Sequence, residues 1–227
     1  MTSVSTDSRA APAPVLPAEP HQSGAKAGVQ LVRLYVASRR VPVALGALTA
    51  CGIVLRAALE WRWIPHSGPL TQQLPVLLEA GAASIIAATT NGPFGEPERA
   101  TGRWLPYLRL GTTLALTAIT VGLLAAGAAA AHLPGGTLDT LRNVSGIAGI
   151  GLLAAAAVGG GLSWIGPMAY LVLCEAALMN GWTTPWIWPA RPPHDAGAAL
   201  CAALAIVTGT AIITAGGAGQ RAVGTLL

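Results

Sequence analysis

Charge is scarce in this sequence. Charged side chains make up 10% of its 227 residues, whereas 53% are hydrophobic. A soluble domain carries about a quarter charged residues, so this chain lacks the polar surface needed to stay in water. Lysine is nearly missing: Lys26 is its one example. A phosphate-cradling G-x-x-x-x-G-K-[ST] loop needs a lysine beside its glycines, so the chain is not expected to hydrolyse ATP. The three cysteines, Cys51, Cys174 and Cys201, all fall inside apolar runs, where a thiol behaves as a small hydrophobe. There is no C-x-x-C and no paired-histidine spacing, so neither a disulfide nor a zinc site is expected. His66, His132 and His194 fall in loops with Asp139 and Asp195. No two of them share ligand spacing on one element, so no metal and no cofactor is expected. Ser163 has no adjacent histidine and H-E-x-x-H is absent, which leaves no enzymatic constellation. The basic residues follow membrane boundaries instead of forming a patch with aromatics, which argues against nucleic acid as a partner.

What the sequence does hold is apolar runs of the roughly 20 residues that a hydrocarbon core requires. The expected fold class is all-α, a polytopic membrane protein with about six transmembrane helices. They are placed at 41–60, 69–90, 108–131, 144–162, 166–184 and 195–216. From Val144 to Gly181 the apolar signal barely breaks, and only "GGGLSWIGP" (Gly159 to Pro167) punctuates it. A glycine triplet followed by Gly-Pro reads as a tight turn, so two short spans are expected there in place of one long one. Residues 1–28 are polar and rich in Pro and Ala, with no apolar core and cleavage site of the secretory type. They are expected to form a disordered cytoplasmic tail, with the first span acting as an uncleaved anchor. Residues 217–227 are expected to form a C-terminal cytoplasmic tail.

Orientation follows from the placement of Lys and Arg in the short flanks. Arg9, Lys26, Arg33, Arg39, Arg40, Arg99, Arg103, Arg109 and Arg221 collect on one side of the six spans; Arg62, Arg142 and Arg191 collect on the other. Both termini are therefore expected in the cytoplasm, and the expected location is a bacterial cytoplasmic membrane. "VQLVRLYVASRR" (29–40) places Val29, Val32, Tyr35 and Val36 on one helical face. It reads as an amphipathic interfacial helix on the inner leaflet, with membrane lipid as its partner; the alternative is a simple continuation of the first span. On the opposite side, Trp61, Trp63, Trp182, Trp186 and Trp188 read as headgroup-level interface anchors.

The largest cytoplasmic loop is then "NGPFGEPERATGRWLPY", Asn91 to Tyr107. Pro97 can open a short helix, and Glu98 near its start complements the helix dipole. With Phe94 and Trp104 at its flanks, the segment forms a compact docking surface; the alternative is a solvated loop that only sets topology. The layout of an amphipathic cytoplasmic helix, six spans and this loop resembles an ABC-transporter permease of the exporter (type-2) class. "GEPERATGR" is similar to that family's run of an acidic residue, a small stretch and an arginine leading into the third span. The chain is short for the family and its loop compact. The resemblance implies a coupling helix within Gly92–Trp104 that docks on a separate ATP-binding subunit supplied in trans. Phe94, Glu96, Glu98, Arg99, Arg103 and Trp104 would make that contact. It also implies a homodimer or a related permease subunit, and a last external loop (Gly181–Asp195) that dips back into the membrane. The rival readings are a membrane scaffold or sensor protein and a small stand-alone secondary transporter.

Three ionisable residues fall within the expected spans: Arg56, Glu79 and Glu175. A charge at mid-bilayer costs at least ~2.5–3.5 kcal/mol, so each needs a partner or water. They either line a transport path or form interhelical pairs, Arg56 with Glu79 for instance. Arg56 also lies four residues before Glu60, on the same helix face. Gly146, Gly149 and Gly151 would allow close helix approach in the fourth span.

Overall fold

The computed structural model describes residues 24–60, 69–90, 105–129, 136–182, 184–192 and 194–216. Among these residues there is no strand: the protein is all-helical. Its helices are α1 (Gly24–Ser38), α2 (Val41–Glu60), α3 (Pro69–Ala88), α4 (Leu105–Ala129), α5 (Gly136–Val158), α6 (Ile165–Met179) and α7 (Ala196–Gly216). Two short 3-10 turns, Gly160–Leu162 and Trp188–Ala190, lie between α5 and α6 and between α6 and α7. Helices α2 to α7 run alternately up and down, as short connections between antiparallel neighbours require.

Among the described residues, five segments are long and apolar enough to cross a membrane: Val41–Glu60, Tyr107–Ala129, Gly136–Val158, Gly160–Met179 and Ala196–Ala215. This makes the chain a helical membrane protein, with one departure from the expected six. Helix α3, Pro69–Ala88, is not among the five; its sequence opens with Thr71, Gln72 and Gln73 ahead of the apolar run. Helix α5 departs in the other direction. It begins at Gly136, well before the expected 144, and so draws Asp139, Arg142 and Asn143 into the helix.

Helix α5 is the centre of the molecule, packed against α3, α4, α6 and α7. Its Val144, Ile147, Ala148, Leu152 and Ala155 are fully buried, as are Ala80, Ala82, Ala83, Ile86 and Ala87 of α3. In lipid, helices gain little by hiding apolar surface from each other, so close backbone approach carries the association. Glycines provide it here. A Cβ on Gly209 of α7 would lie 2.6 Å from the Gly149 carbonyl oxygen, and one on Gly127 of α4 would lie 2.8 Å from that of Gly52 on α2. The expected turn after α5 is formed by Gly159, whose φ of 91° lies in the region glycine favours, followed by the Gly160–Leu162 turn.

Helix α1 is separate from α2. The chain turns at Arg39 and Arg40, and Arg40 adopts a φ of 54°. Helix α1 starts at Gly24, inside the stretch expected to lack structure, where Ala25, Lys26 and Ala27 are strong helix formers. Its Val29, Val32, Arg33 and Leu34 are exposed, whereas Tyr35 is buried.

Candidate functional site

The two ends of the bundle each carry a polar cluster. At the α1 end, the Arg39 guanidinium donates to the Thr89 carbonyl at 3.1 Å and to the Thr90 carbonyl at 2.5 Å. These carbonyls lie just past the end of α3, where a helix leaves acceptors without intrahelical donors and attracts cations. The same guanidinium lies 4.9 Å above the Tyr35 ring. Arg109 and Thr113 of α4 line the cleft that these groups share. In the chain, residues 91–104 lie between α3 and α4. The expected coupling residues Phe94, Glu96, Glu98, Arg99, Arg103 and Trp104 lie outside the described residues.

The opposite end holds the second cluster. Arg142, 6% exposed, forms an ion pair with Asp139 one turn earlier on α5. Its guanidinium also donates to the Pro192 carbonyl at 2.7 Å and the Arg191 carbonyl at 3.1 Å. Its Nε faces the Asn143 Oδ1 at 3.4 Å. Asn143 in turn faces the Glu79 carboxyl of α3. Glu79 is 5% exposed, and its Oε2 has no hydrogen-bond partner. One helix turn separates Asp139 from Arg142, and the next residue carries the amide, so a single stretch of α5 presents all three groups.

The segment between α6 and α7 closes over this cluster. Ile187 is fully buried and Trp188 is 3% exposed. The Trp188 indole packs where a Cβ on Gly146 would stand, 2.7 Å away, and its ring centroid lies 4.7 Å from that of Tyr170. The Tyr170 hydroxyl donates to the Trp186 carbonyl at 2.8 Å. Arg191 and Asp195 pair at 2.6 Å, and Asp195 accepts from the Ala198 N–H at 3.0 Å, capping α7. These contacts, the Ala198 N–H first and the Arg191 guanidinium second, hold the Asp195 carboxyl below the usual carboxylate range. Asp195 stands before α7 and outside its apolar span.

The expected anchors and intramembrane charges divide accordingly. Trp182 and Trp186 are 47% and 42% exposed, compatible with a headgroup position. Trp188 is a correction: glycine at 146 leaves a slot into which its ring folds, so it packs against the protein and not against lipid. Trp61 and Trp63 lie outside the described residues. Arg56 pairs with Glu60 at 2.7 Å on an exposed face, not with Glu79; the i, i+4 spacing satisfies it locally. Glu175 accepts from the Gln73 amide at 2.6 Å, which joins α6 to the polar start of α3. Asp139, Arg142 and Asn143 are the site residues that sequence reasoning missed. Their cue was present: an acidic residue and an arginine three apart, then Asn, leading directly into an apolar helix.

Among the described residues no three His, Cys, Asp or Glu side chains gather as a metal site would require. The chain matches no family model, no curated protein and no solved structure.

Proposed function

We propose that this chain is the membrane subunit of an ATP-driven exporter, coupled through residues 92–104 to an ATP-hydrolysing subunit supplied in trans. The observation that carries this reading is the attachment of α1 to the end of α3. Arg39 ties the end of α1 to the carbonyls of Thr89 and Thr90, the last described residues before the expected coupling segment. The segment returns into α4, whose Arg109 lines the same cleft. A load on the segment would therefore be felt by α1, α3 and α4 together. Such a joint is what a cytosolic motor needs to move a membrane bundle. The arginine-rich flanks put this end in the cytosol under the positive-inside rule. In this reading α3 is a sixth span. Helix α3 has 20 residues, about 30 Å at 1.5 Å per residue, the thickness of a ~30 Å hydrocarbon core. It is enclosed by α2, α4, α5 and α6. A homodimer or a related permease would complete the assembly.

The test is charge reversal in the docking segment. Glu98→Arg with Arg99→Glu should insert into the membrane normally, fail to co-purify a P-loop ATPase and lose ATP-dependent export. Wild-type association in that double variant would remove the coupling assignment. A second reading, a stand-alone secondary transporter, draws on the buried Glu79–Asn143–Arg142–Asp139 cluster. Transport that follows an ion gradient and ignores ATP would select it.

A further inference from the structure

The cluster at the opposite end from α1 has an imbalance of charge. Glu79 and Asp139 supply two carboxylates, and Arg142 supplies one cation. The Arg142 guanidinium is committed to Asp139 and to the Arg191 and Pro192 carbonyls. Arg191 pairs with Asp195 outside the bundle core. Among the described residues, the other elements packed on α3 offer no compensating cation to Glu79. On α6, Glu175 accepts from Gln73, the Tyr170 hydroxyl donates to the Trp186 carbonyl, and Cys174 is buried. On α2, Arg56 is paired with Glu60 on an exposed face. On α4, Tyr107 and Arg109 lie in its first turns, at the α1 end. Glu79 is left facing the Asn143 amide, with a buried oxygen, Oε2, that has no hydrogen-bond partner.

Leaving an ionised carboxylate in that position is costly. Even after relaxation, the desolvation penalty is several kcal/mol per ion, and an unpaired carboxylate responds by neutralising. A hard metal ion would need about six oxygen ligands, yet the neighbouring acceptors, Asp139 Oδ1 and Asn143 Oδ1, already receive from Arg142. A proton needs one acceptor, and Oε2 is free. We propose that Glu79 is a proton-binding site inside the helix bundle, occupied in the resting protein, with Asn143 holding the carboxyl and Arg142 neutralising Asp139 beside it. The inference rests on the α3–α5 charge count and holds for either energy source considered above.

Infrared spectroscopy of the full-length protein in lipid nanodiscs at neutral pH tests it. The expected spectrum contains a protonated-carboxyl carbonyl stretch that shifts in heavy water and corresponds to about one of the nine Asp and Glu residues. The band should vanish in Glu79→Gln and persist in Glu175→Gln. A wild-type spectrum without such a band overturns the proposal, as does a band that survives Glu79→Gln. If that variant fails to accumulate, Glu79→Asp decides: the band moves if Glu79 carries the proton and stays in place if another residue does.

Discussion

Arg142 shows how much a single side chain holds in this protein. It is buried with a paired carboxylate and two loop carbonyls around it, and truncating one partner of a buried ion pair leaves the other uncompensated. Arg142→Ala should therefore lower stability by about 3–5 kcal/mol, measured by reversible unfolding in mixed micelles. Arg142→Lys keeps the charge but not the planar fork, so it should recover only part of the loss. Removing Asp139 together with Arg142 should cost less than the sum of the two single changes, since they act as a unit. An Arg142→Ala protein as stable as wild type would mean that the guanidinium is not holding the segment between α6 and α7. Reading the sequence put Arg142 in a wet flank, because a charge at the edge of an apolar run is normally solvated. Its carbonyl acceptors, those of Arg191 and Pro192, lie about 50 residues away in the chain, and no local pattern reveals them.

The helices themselves were legible where hydropathy was continuous and blurred where polar residues joined the first turn. Helix α2 spans the expected 41–60, and the turn between α5 and α6 falls on the expected glycines. Helix α5 was cut short, since Asp139, Arg142 and Asn143 read as loop until the α6–α7 segment is seen to cover them. The glycines of these helices are not equivalent, and that gives an element-scale prediction. A Cβ on Gly149 would collide with the backbone of Ala205 and Ile206 on α7, whereas one on Gly46 of α2 meets nothing. Gly149→Ala should destabilise by about 1–3 kcal/mol through overpacking. Gly46→Ala should be neutral or stabilising by up to ~1 kcal/mol through helix propensity. Thermal inactivation of the two variants separates them, and equal midpoints would contradict the close α5–α7 contact.

At the scale of the whole molecule, the two polar clusters lie at opposite ends of one bundle, which makes sidedness testable. Arg33 of α1 and Asn180 after α6 are both exposed. In a background lacking Cys51, Cys174 and Cys201, single cysteines replace Arg33 or Asn180. Asn180→Cys should react with a membrane-impermeant maleimide in intact cells, and Arg33→Cys only after permeabilisation. The reverse pattern would put residues 91–104 outside the cell and remove the docking reading altogether.

The approximate positions of the long apolar helices were written in the sequence, as was the exclusion of a water-soluble fold. Hydropathy adds up locally, residue by residue, so one dimension is enough to compute it. The tertiary structure alone decided which polar groups are buried and what satisfies them. It seats Trp188 against Gly146, turns Arg56 to Glu60 instead of Glu79, and joins Glu79 to Asn143 across two helices. Each depends on partners brought together by packing, because the cost of burying a polar group is set by what faces it and not by its neighbours along the chain.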